Sequence, residues 1–558
     1  MTTTAAGGQI TNVATRLAQH ARERPEQIAV VEADGRRRRR KGRARYRTVT
    51  FEQLHADSDR IAAGLLARGV RPGDRLVLLV RPGIDFVSLV FALFKSGAVT
   101  VLVDPGMGRR NLLGCLADAR PDGFVAISAV HAVRVLKRRR FPKSRIHVTV
   151  GQRLFWGGCT LDQLRAEGQG RHPLVSTQAE DPAAIIFTTG STGVPKGVLY
   201  QHGNFEHQVR EIQNRYGIQA GAVDLAGFPL FGLFNSGMGV TTVVPEMDAT
   251  RPAEVDPEKI LTAVRDWEVT QSFGSPALWN RVASYCERQG IEIPGIQNVF
   301  SAGAPVPGRV LAILQRRLPA DAEIHTPYGA TEALPVASIT AREILGETQR
   351  KTDQGAGVCV GSRFPGICWS VIPIVDGPIE TLPEAVPRGT VGELIVSGPV
   401  VTEEYVTRVE ANRLGKIMDG ATRWHRMGDV GYLDAQDRFW FCGRMSQRVR
   451  CVGETLYTIP SEAIFNTHPA VYRTALVGVG SAGRQRPVLI VEPFAGSYPR
   501  SYRLRRAFSE ELRLLGQSTP HTRNIQDFLF HRSLPVDIRH NAKIFREKLS
   551  AWAARRMV

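Results

Sequence analysis

Apolar runs of strand length recur along most of this chain, and between them apolar positions repeat at helical spacing. Residues 76–80, 100–102, 124–127, 146–150, 184–187, 269–273, 298–300 and 323–325 read as buried strands, with 86–95 as a helix between the first two. Strands that alternate with helices and are apolar throughout predict an α/β architecture with largely parallel sheets. Lys95-Ser96-Gly97-Ala98 reads as a helix end with a glycine stop, and Asp104-Pro105-Gly106 as the turn after the next strand. Past about residue 370 the pattern changes to shorter strands with turns, at 392–397, 431–433 and 438–442, which predicts a small β-rich lobe. A polar, basic stretch at 443–450 marks a boundary. Beyond it, strands at 475–479 and 488–491 and a helix at 502–515 predict a small α+β domain.

A length of 558 residues exceeds what one core supports, so two or more domains are expected. The longest apolar stretch, 86–103, is interrupted by Lys95, and the first ten residues lack a charged segment followed by an apolar core. Neither a membrane span nor a secretory signal is therefore expected. The cysteines at 115, 159, 286, 359, 368, 442 and 451 are scattered and lack C-x-x-C spacing, which points to a reduced, cytoplasmic setting without structural zinc. Net charge is +19, concentrated at 36–47 and 134–145. No nucleic-acid-binding signature accompanies it. The arginine run at 36–47 reads as a solvated, partly disordered insertion, with a docking patch for an acidic partner as the other reading.

The segment Thr188-Thr189-Gly190-Ser191-Thr192-Gly193-Val194-Pro195-Lys196-Gly197 follows an apolar strand. Its glycines let backbone N–H groups approach an anion, its hydroxyls add donors, and Lys196 adds a point charge, a combination that holds a polyphosphate. It is not the ordinary P-loop, because no Ser or Thr follows the lysine to open a helix. A polar surface loop is the lesser reading of the segment taken alone. Ser301-Ala302-Gly303-Ala304-Pro305 sits at a strand end, where ligands bind in open α/β sheets. Tyr328-Gly329-Ala330-Thr331-Glu332 follows another short strand and offers an aromatic plane, a hydroxyl and a carboxylate, which suit a purine, a phosphate oxygen and Mg²⁺. Asp429 offers a carboxylate for a ribose diol, Arg444 follows a strand, and Lys543 lies among polar residues near the C-terminus.

In this order and at these separations the motifs resemble the adenylate-forming superfamily of acyl-CoA synthetases, peptide-synthetase adenylation domains and luciferases, from about Ala14 to Leu549. The resemblance implies a large N-terminal α/β domain (1–443) with two parallel-type sheets and a β-rich lobe, a hinge (444–450), and a small mobile α+β lid (451–558). It implies ATP and Mg²⁺ as cofactors and a carboxylate activated as acyl-AMP. Thr188–Lys196 would grip the β- and γ-phosphates; Gly303, Ala304, Pro305 and Tyr328 would sandwich adenine, with Gly329 beside them. Thr331 would touch the α-phosphate, Glu332 would hold the metal, Asp429 and Arg444 would meet the ribose, and Lys543 would bridge carboxylate and α-phosphate from the lid.

Several segments depart from CoA ligases. Gly232 follows Pro229-Leu230-Phe231 where many relatives have histidine, Ser446 stands at the hinge, the interval from Arg448 to Glu462 is long, and Ala542 precedes Lys543 after a stretched interval from Pro535. Residues 94–98, 103–106, 326–332, 465–469 and above all 535–544 are similar to the bacterial β-lactone-forming synthetases of long-chain olefin biosynthesis. That likeness implies a long-chain 2-alkyl-3-hydroxy acid whose own hydroxyl displaces AMP, and an assembly with other enzymes of the route. A fatty acyl-CoA or acyl-carrier-protein ligase is the alternative. Phe228, Phe231, Leu233, Phe234, Met238, Leu278 and Trp279 are expected to wall the acyl pocket, and His425, His540 and Asp537 are candidates for a base.

Overall fold

The computed structural model describes residues 11–34, 45–188, 194–228, 232–517, 519–537 and 543–557. Among them the fold is mixed α/β, built on two large sheets, a β-rich lobe and a small C-terminal sheet. The first large sheet has seven strands. Its core runs parallel from Ile146–Val150 through Gly123–Ile127, Arg75–Leu79 and Val99–Leu102 to Pro182–Phe187, and Gly197–Gln201 closes it antiparallel. The second has nine strands. Asn298–Ser301, Gln271–Gly274, Val223–Ala226 and Thr241–Val244 form its parallel centre, and Glu323–Ala330 folds back on Ala333–Thr340 as an antiparallel hairpin at one side.

These strands are apolar because both faces are covered. The helix Ile84–Lys95 is buried along its whole length in the core beside the first sheet. Gly97 adopts φ +70° just past it, as the predicted glycine stop requires. The arginine run bridges an antiparallel pair, Ile28–Ala33 with Tyr46–Thr50. Residues 35–44, and with them most of the expected solvated insertion, lie outside the described residues. The second basic segment is partly structural rather than a free patch. Buried Arg134 donates to the Trp156 carbonyl and to His131, and Arg145 donates to the Gly69 carbonyl at 2.7 Å and pairs with Asp74.

The β-rich lobe is antiparallel, with Gly392–Ser397, Thr422–Leu433 and Phe439–Arg444 at its centre. The strand expected at 431–433 therefore begins nine residues earlier and carries Asp429 within it. Beyond Arg444, Val471–Val479, Arg486–Pro493 and Asp527–Phe530 form a separate three-stranded sheet, with helices Thr458–Asn466, Tyr502–Gly516 and Arg546–Ala554 packed on it. No helix among the described residues is long and apolar enough to cross a membrane.

One buried ion pair ties the lobe together. The Arg426 guanidinium donates to Glu393 Oε2 at 2.6 and 3.0 Å and to the carbonyls of Val375, Gly377 and Leu414. Both side chains are nearly inaccessible, so removing one partner strands a charge. Arg426→Met is expected to cost ~3–5 kcal/mol, seen as a lowered denaturation midpoint; an unchanged midpoint would contradict this reading of the lobe.

Candidate functional site

Strand ends from both large sheets and the β-rich lobe converge on a cavity of about 2930 Å³. Thr188, Lys196, Gly303, Ala304, Pro305, Tyr328, Gly329, Thr331, Glu332, Asp429, Arg444 and Lys543 all line it. Residues separated by more than three hundred positions are thus brought together as the sequence motifs implied. Thr189, Gly190, Ser191, Thr192, Gly193, Phe231 and His540 lie outside the described residues.

Local structure explains the placement. Gly303 has φ +98° just after its strand, a conformation that turns the backbone toward the cavity without a Cβ clash. Tyr328 and Gly329 do not follow a strand, as expected from sequence, but belong to it: Glu323–Ala330 runs five residues past the predicted end. Thr331 and Glu332 form the tip of the hairpin between that strand and Ala333–Thr340. The tip is fixed from two sides: Tyr200 Oη donates to the Thr331 carbonyl at 2.6 Å, and Thr402 donates to the Glu332 carbonyl from N at 2.9 Å and Oγ1 at 3.0 Å. Arg444 ends the strand Phe439–Arg444 directly opposite Asp429 in register.

The electrostatics follow from burial. Tyr328 Oη donates to Asp429 Oδ2 at 2.5 Å, and the Arg444 guanidinium lies 3.0 Å from Oδ1. That oxygen nevertheless has no hydrogen-bond partner among the described residues. Burial raises the Asp429 pKa, opposed by the charges of Arg444 and Lys543. The Lys543 ammonium is therefore close enough to be felt at Asp429. Asp429 in turn holds Arg444 in its charged form. Glu332 Oε1 accepts from Tyr405 Oη at 2.7 Å, and Lys196 Nζ sits 4.2 Å from the centre of the Tyr405 ring. Burial lowers the Lys196 pKa and the Glu332 charge opposes it. The Thr188 hydroxyl accepts from the Lys196 backbone at 3.2 Å, which closes the base of the phosphate segment.

The candidates for a base separate. His425 is buried with Nδ1–H donated to the Gly415 carbonyl at 2.9 Å, and desolvation holds its pKa well below the usual value. It is neutral, with Nε2 left as an acceptor. Asp537 lies on the loop that presents Lys543: its N–H donates to the Lys543 carbonyl at 2.9 Å, beside a β-bridge between Val536 and Ile544.

An apolar wall adjoins the polar cleft. Phe228, Leu233, Phe234 and Met238 line it, joined by Val209, Ile212 and Tyr216 of the helix His202–Tyr216 and by Phe273 and Phe300 at strand ends. Trp279 and Leu278 do not line the cavity. The apolar stripe of the helix Pro276–Gln289, with Val282, Ala283 and Cys286, turns both into the core, where Trp279 is 1% exposed. Sequence reasoning missed Tyr405, Tyr200 and Gln208, which hold Glu332 and the hairpin; they sit in no motif, and only the fold brings them to it.

The comparisons agree with this geometry. The chain is 48% identical over 552 residues to an olefin beta-lactone synthetase of Stenotrophomonas maltophilia (strain K279a), covering 97% of this chain and 98% of the relative. It is 47% identical over 559 residues to an olefin beta-lactone synthetase of Xanthomonas campestris pv. campestris, covering 98% of each. The crystal structure of ATP-bound MatB from Rhodopseudomonas palustris shares the fold, with a TM-score of 0.77 at 20% identity over 98% of this chain and 99% of that one. A model of the AMP-binding enzyme family matches residues 17–406. This chain belongs to the AMP-binding enzyme family and is an AMP-forming ligase that uses ATP.

Proposed function

We propose that the chain converts a long-chain 2-alkyl-3-hydroxy acid and ATP into a β-lactone, AMP and diphosphate, by way of the acyl-adenylate. The observation that carries the proposal is the meeting of Lys543, Glu332 and Asp429 in one cavity that continues into an apolar wall. The near full-length likeness to two olefin beta-lactone synthetases supports the second half of the reaction.

The division of labour follows from charge. Carboxylate and ATP are both anions, so their encounter is repulsive unless cations meet the charge where it builds. Residues 451–558 act as a lid that turns about 444–450 and delivers Lys543 to the carboxylate and α-phosphate. Lys196, with Thr188 and the segment 189–193, holds the β- and γ-phosphates. Gly303, Ala304, Pro305, Tyr328 and Gly329 enclose adenine, Thr331 meets the α-phosphate, and Asp429 Oδ1, ion-paired with Arg444 but without a hydrogen-bond donor among the described residues, accepts from a ribose hydroxyl. Glu332 would hold Mg²⁺: its carboxylate has Oε1 bonded by Tyr405, and carboxylate oxygen suits a hard cation. The metal, when bound, offsets phosphate charge.

The substrate's 3-hydroxyl then attacks its own acyl carbon, forming the ring C–O bond as the bond to AMP breaks, with loss of the hydroxyl proton. His425, through Nε2, Asp537 and His540 are the candidates to accept it. Tethering the nucleophile to the electrophile replaces a second substrate site. Assembly with other enzymes of the same route is part of the proposal, with the basic surface as the contact; co-purification that is lost at high salt tests it.

The deciding incubation contains protein, Mg-ATP and a racemic 2-alkyl-3-hydroxy acid without CoA. Lactone with AMP is expected, and strict dependence on CoA would select the acyl-CoA ligase reading instead. Lys543→Ala should lower pyrophosphate release by ~10²–10³ while nucleotide still binds; undiminished turnover would remove the lid lysine from the mechanism. Asp429→Ala should weaken nucleotide binding by about 10–100-fold in a calorimetric titration, and an unchanged affinity would take Asp429 out of the ribose site.

A further inference from the structure

Toward one edge of the seven-stranded sheet, the helix Ser128–Leu136 and the loop 151–158 form a surface that the reaction does not use. The two segments are pinned together. Ser128 Oγ donates to the Gln152 carbonyl at 2.5 Å, Arg134 donates to the Trp156 carbonyl at 3.3 Å, and the Trp156 ring stacks on His131 with centroids 5.8 Å apart. Four apolar side chains within two residues of the Arg134–Trp156 contact are nevertheless open to solvent: Phe155 is 81% exposed, Leu136 80%, Leu154 52% and Val133 43%. Two residues of chain reach at most ~7 Å, so these side chains form one patch rather than scattered singles.

The charge around the patch has one sign. Between Asp122 and Asp162 the chain has no carboxylate, and Lys137, Arg138, Arg139, Arg140, Lys143 and Arg153 are all exposed. The carboxylates that bound this stretch are engaged, Asp122 with the Arg75 backbone N–H at 2.9 Å and Asp162 with Arg165 at 3.3 Å. The large cavity opens on the same two segments. Ala129, Gly151 and Gln152 are exposed and also line it, and Ala129 lies about 10 Å from Leu136 along the helix.

We propose that this patch docks the protein on an anionic lipid bilayer, with the four apolar side chains entering the headgroup region and the cations facing lipid phosphates. The choice of occupant rests on the long-chain acid proposed above: such an acid partitions into bilayers, and docking here sets an opening of the cavity beside its source. Apolar side chains supply the part of the binding that salt does not screen, and the cations supply the preference for anionic lipid. Cations alone would suit any acidic partner; apolar tips among them, next to a cavity with an apolar wall, favour lipid. The helix Tyr502–Gly516 also exposes apolar residues among arginines but fits less well. Leu504 lies about 15 Å from Leu514 along it, and Glu510 and Glu511 interrupt the charge.

The test is sedimentation of the full chain with vesicles of phosphatidylcholine alone and of phosphatidylcholine with phosphatidylglycerol, without ATP or acid. Binding to the anionic vesicles should be stronger by about tenfold or more and should weaken as salt is raised. Phe155→Ser with Leu136→Ser removes the main apolar anchors, and Arg138→Ser with Arg139→Ser and Arg140→Ser removes three charges. Each set should weaken binding to the anionic vesicles by about 10–100-fold. All five side chains are exposed, so melting curves should match that of the unsubstituted protein; Phe155→Ser alone carries the apolar half if the pair does not fold. Binding that is absent, equal on both vesicles, or retained in either folded set overturns the proposal. Loss of a co-purifying enzyme in these variants, with vesicle binding unchanged, would make the patch a protein contact and overturn it equally. Vesicle binding is read without turnover, so its failure leaves the proposed reaction standing, and failure of lactone formation leaves the docking result to be read by itself.

Discussion

Two carboxylates, the buried Asp429 and the half-buried Glu332, each held by a phenol and faced by cations, are the arrangement on which the rest of this site depends. Tyr328 grips Asp429 and Tyr405 grips Glu332, in both cases through a neutral hydroxyl that leaves the negative charge in place. Arg444, Lys196 and Lys543 line the same cavity, so three cations accompany these two carboxylates. Burial makes this costly to build, as the raised pKa of Asp429 and the lowered pKa of Lys196 record. It also makes the site effective, since fixed charges in a dry cleft act far more strongly than the same charges in water.

That arrangement explains how the fold is assembled. Asp429 and Arg444 come from neighbouring strands of the lobe, Glu332 from a hairpin tip of the second sheet, and Lys196 from the edge of the first. Lys543 arrives from beyond the third sheet on a loop closed by the Val536–Ile544 bridge. The contacts that hold the C-terminal part near the lobe include Arg448 and Arg450 on Asp376, whose side chain is 57% exposed. Exposed ion pairs of this kind are worth ~0–1 kcal/mol each. The Arg546–Glu462 pair within the C-terminal part, by contrast, is buried.

The central strands were legible because strands covered on both faces read as unbroken apolar runs; 146–150 and 392–397 have the bounds expected from the sequence. The strands that carry function were legible only in part. Glu323–Ala330 and Thr422–Leu433 contain Tyr328, Gly329 and Asp429, whose polarity and glycines look like loop when read locally. Their strand character comes from antiparallel pairing with the neighbouring strands Ala333–Thr340 and Phe439–Arg444 rather than from an apolar run of their own. The same blindness hid Tyr405, Tyr200 and Gln208, and it put Trp279 on the cavity wall, since an apolar residue near a strand end suits a wall and a core equally. Arg134 shows the converse: a member of a basic cluster is taken inside by a buried carbonyl and a histidine.

Where the substrate carries its own nucleophile, the demands on the C-terminal part change. An enzyme that passes an acyl group to a separate thiol has to open a second approach to the acyl carbon after adenylation. A 3-hydroxy acid brings its attacking oxygen in with the carboxylate, so the arrangement that makes the acyl-adenylate also contains everything needed to close the ring. The positions at which the sequence departs from CoA ligases, Ser446, the interval from Arg448 to Glu462 and the residue before Lys543, are in keeping with the proposed reaction, which needs no second approach. The chemistry of one step then limits the other: water that reaches the mixed anhydride gives back the acid, so a lid that stays shut until the hydroxyl has attacked protects the intermediate. In the proposed reaction, one arrangement, with the Lys543 charge felt at Asp429, would serve both half-reactions.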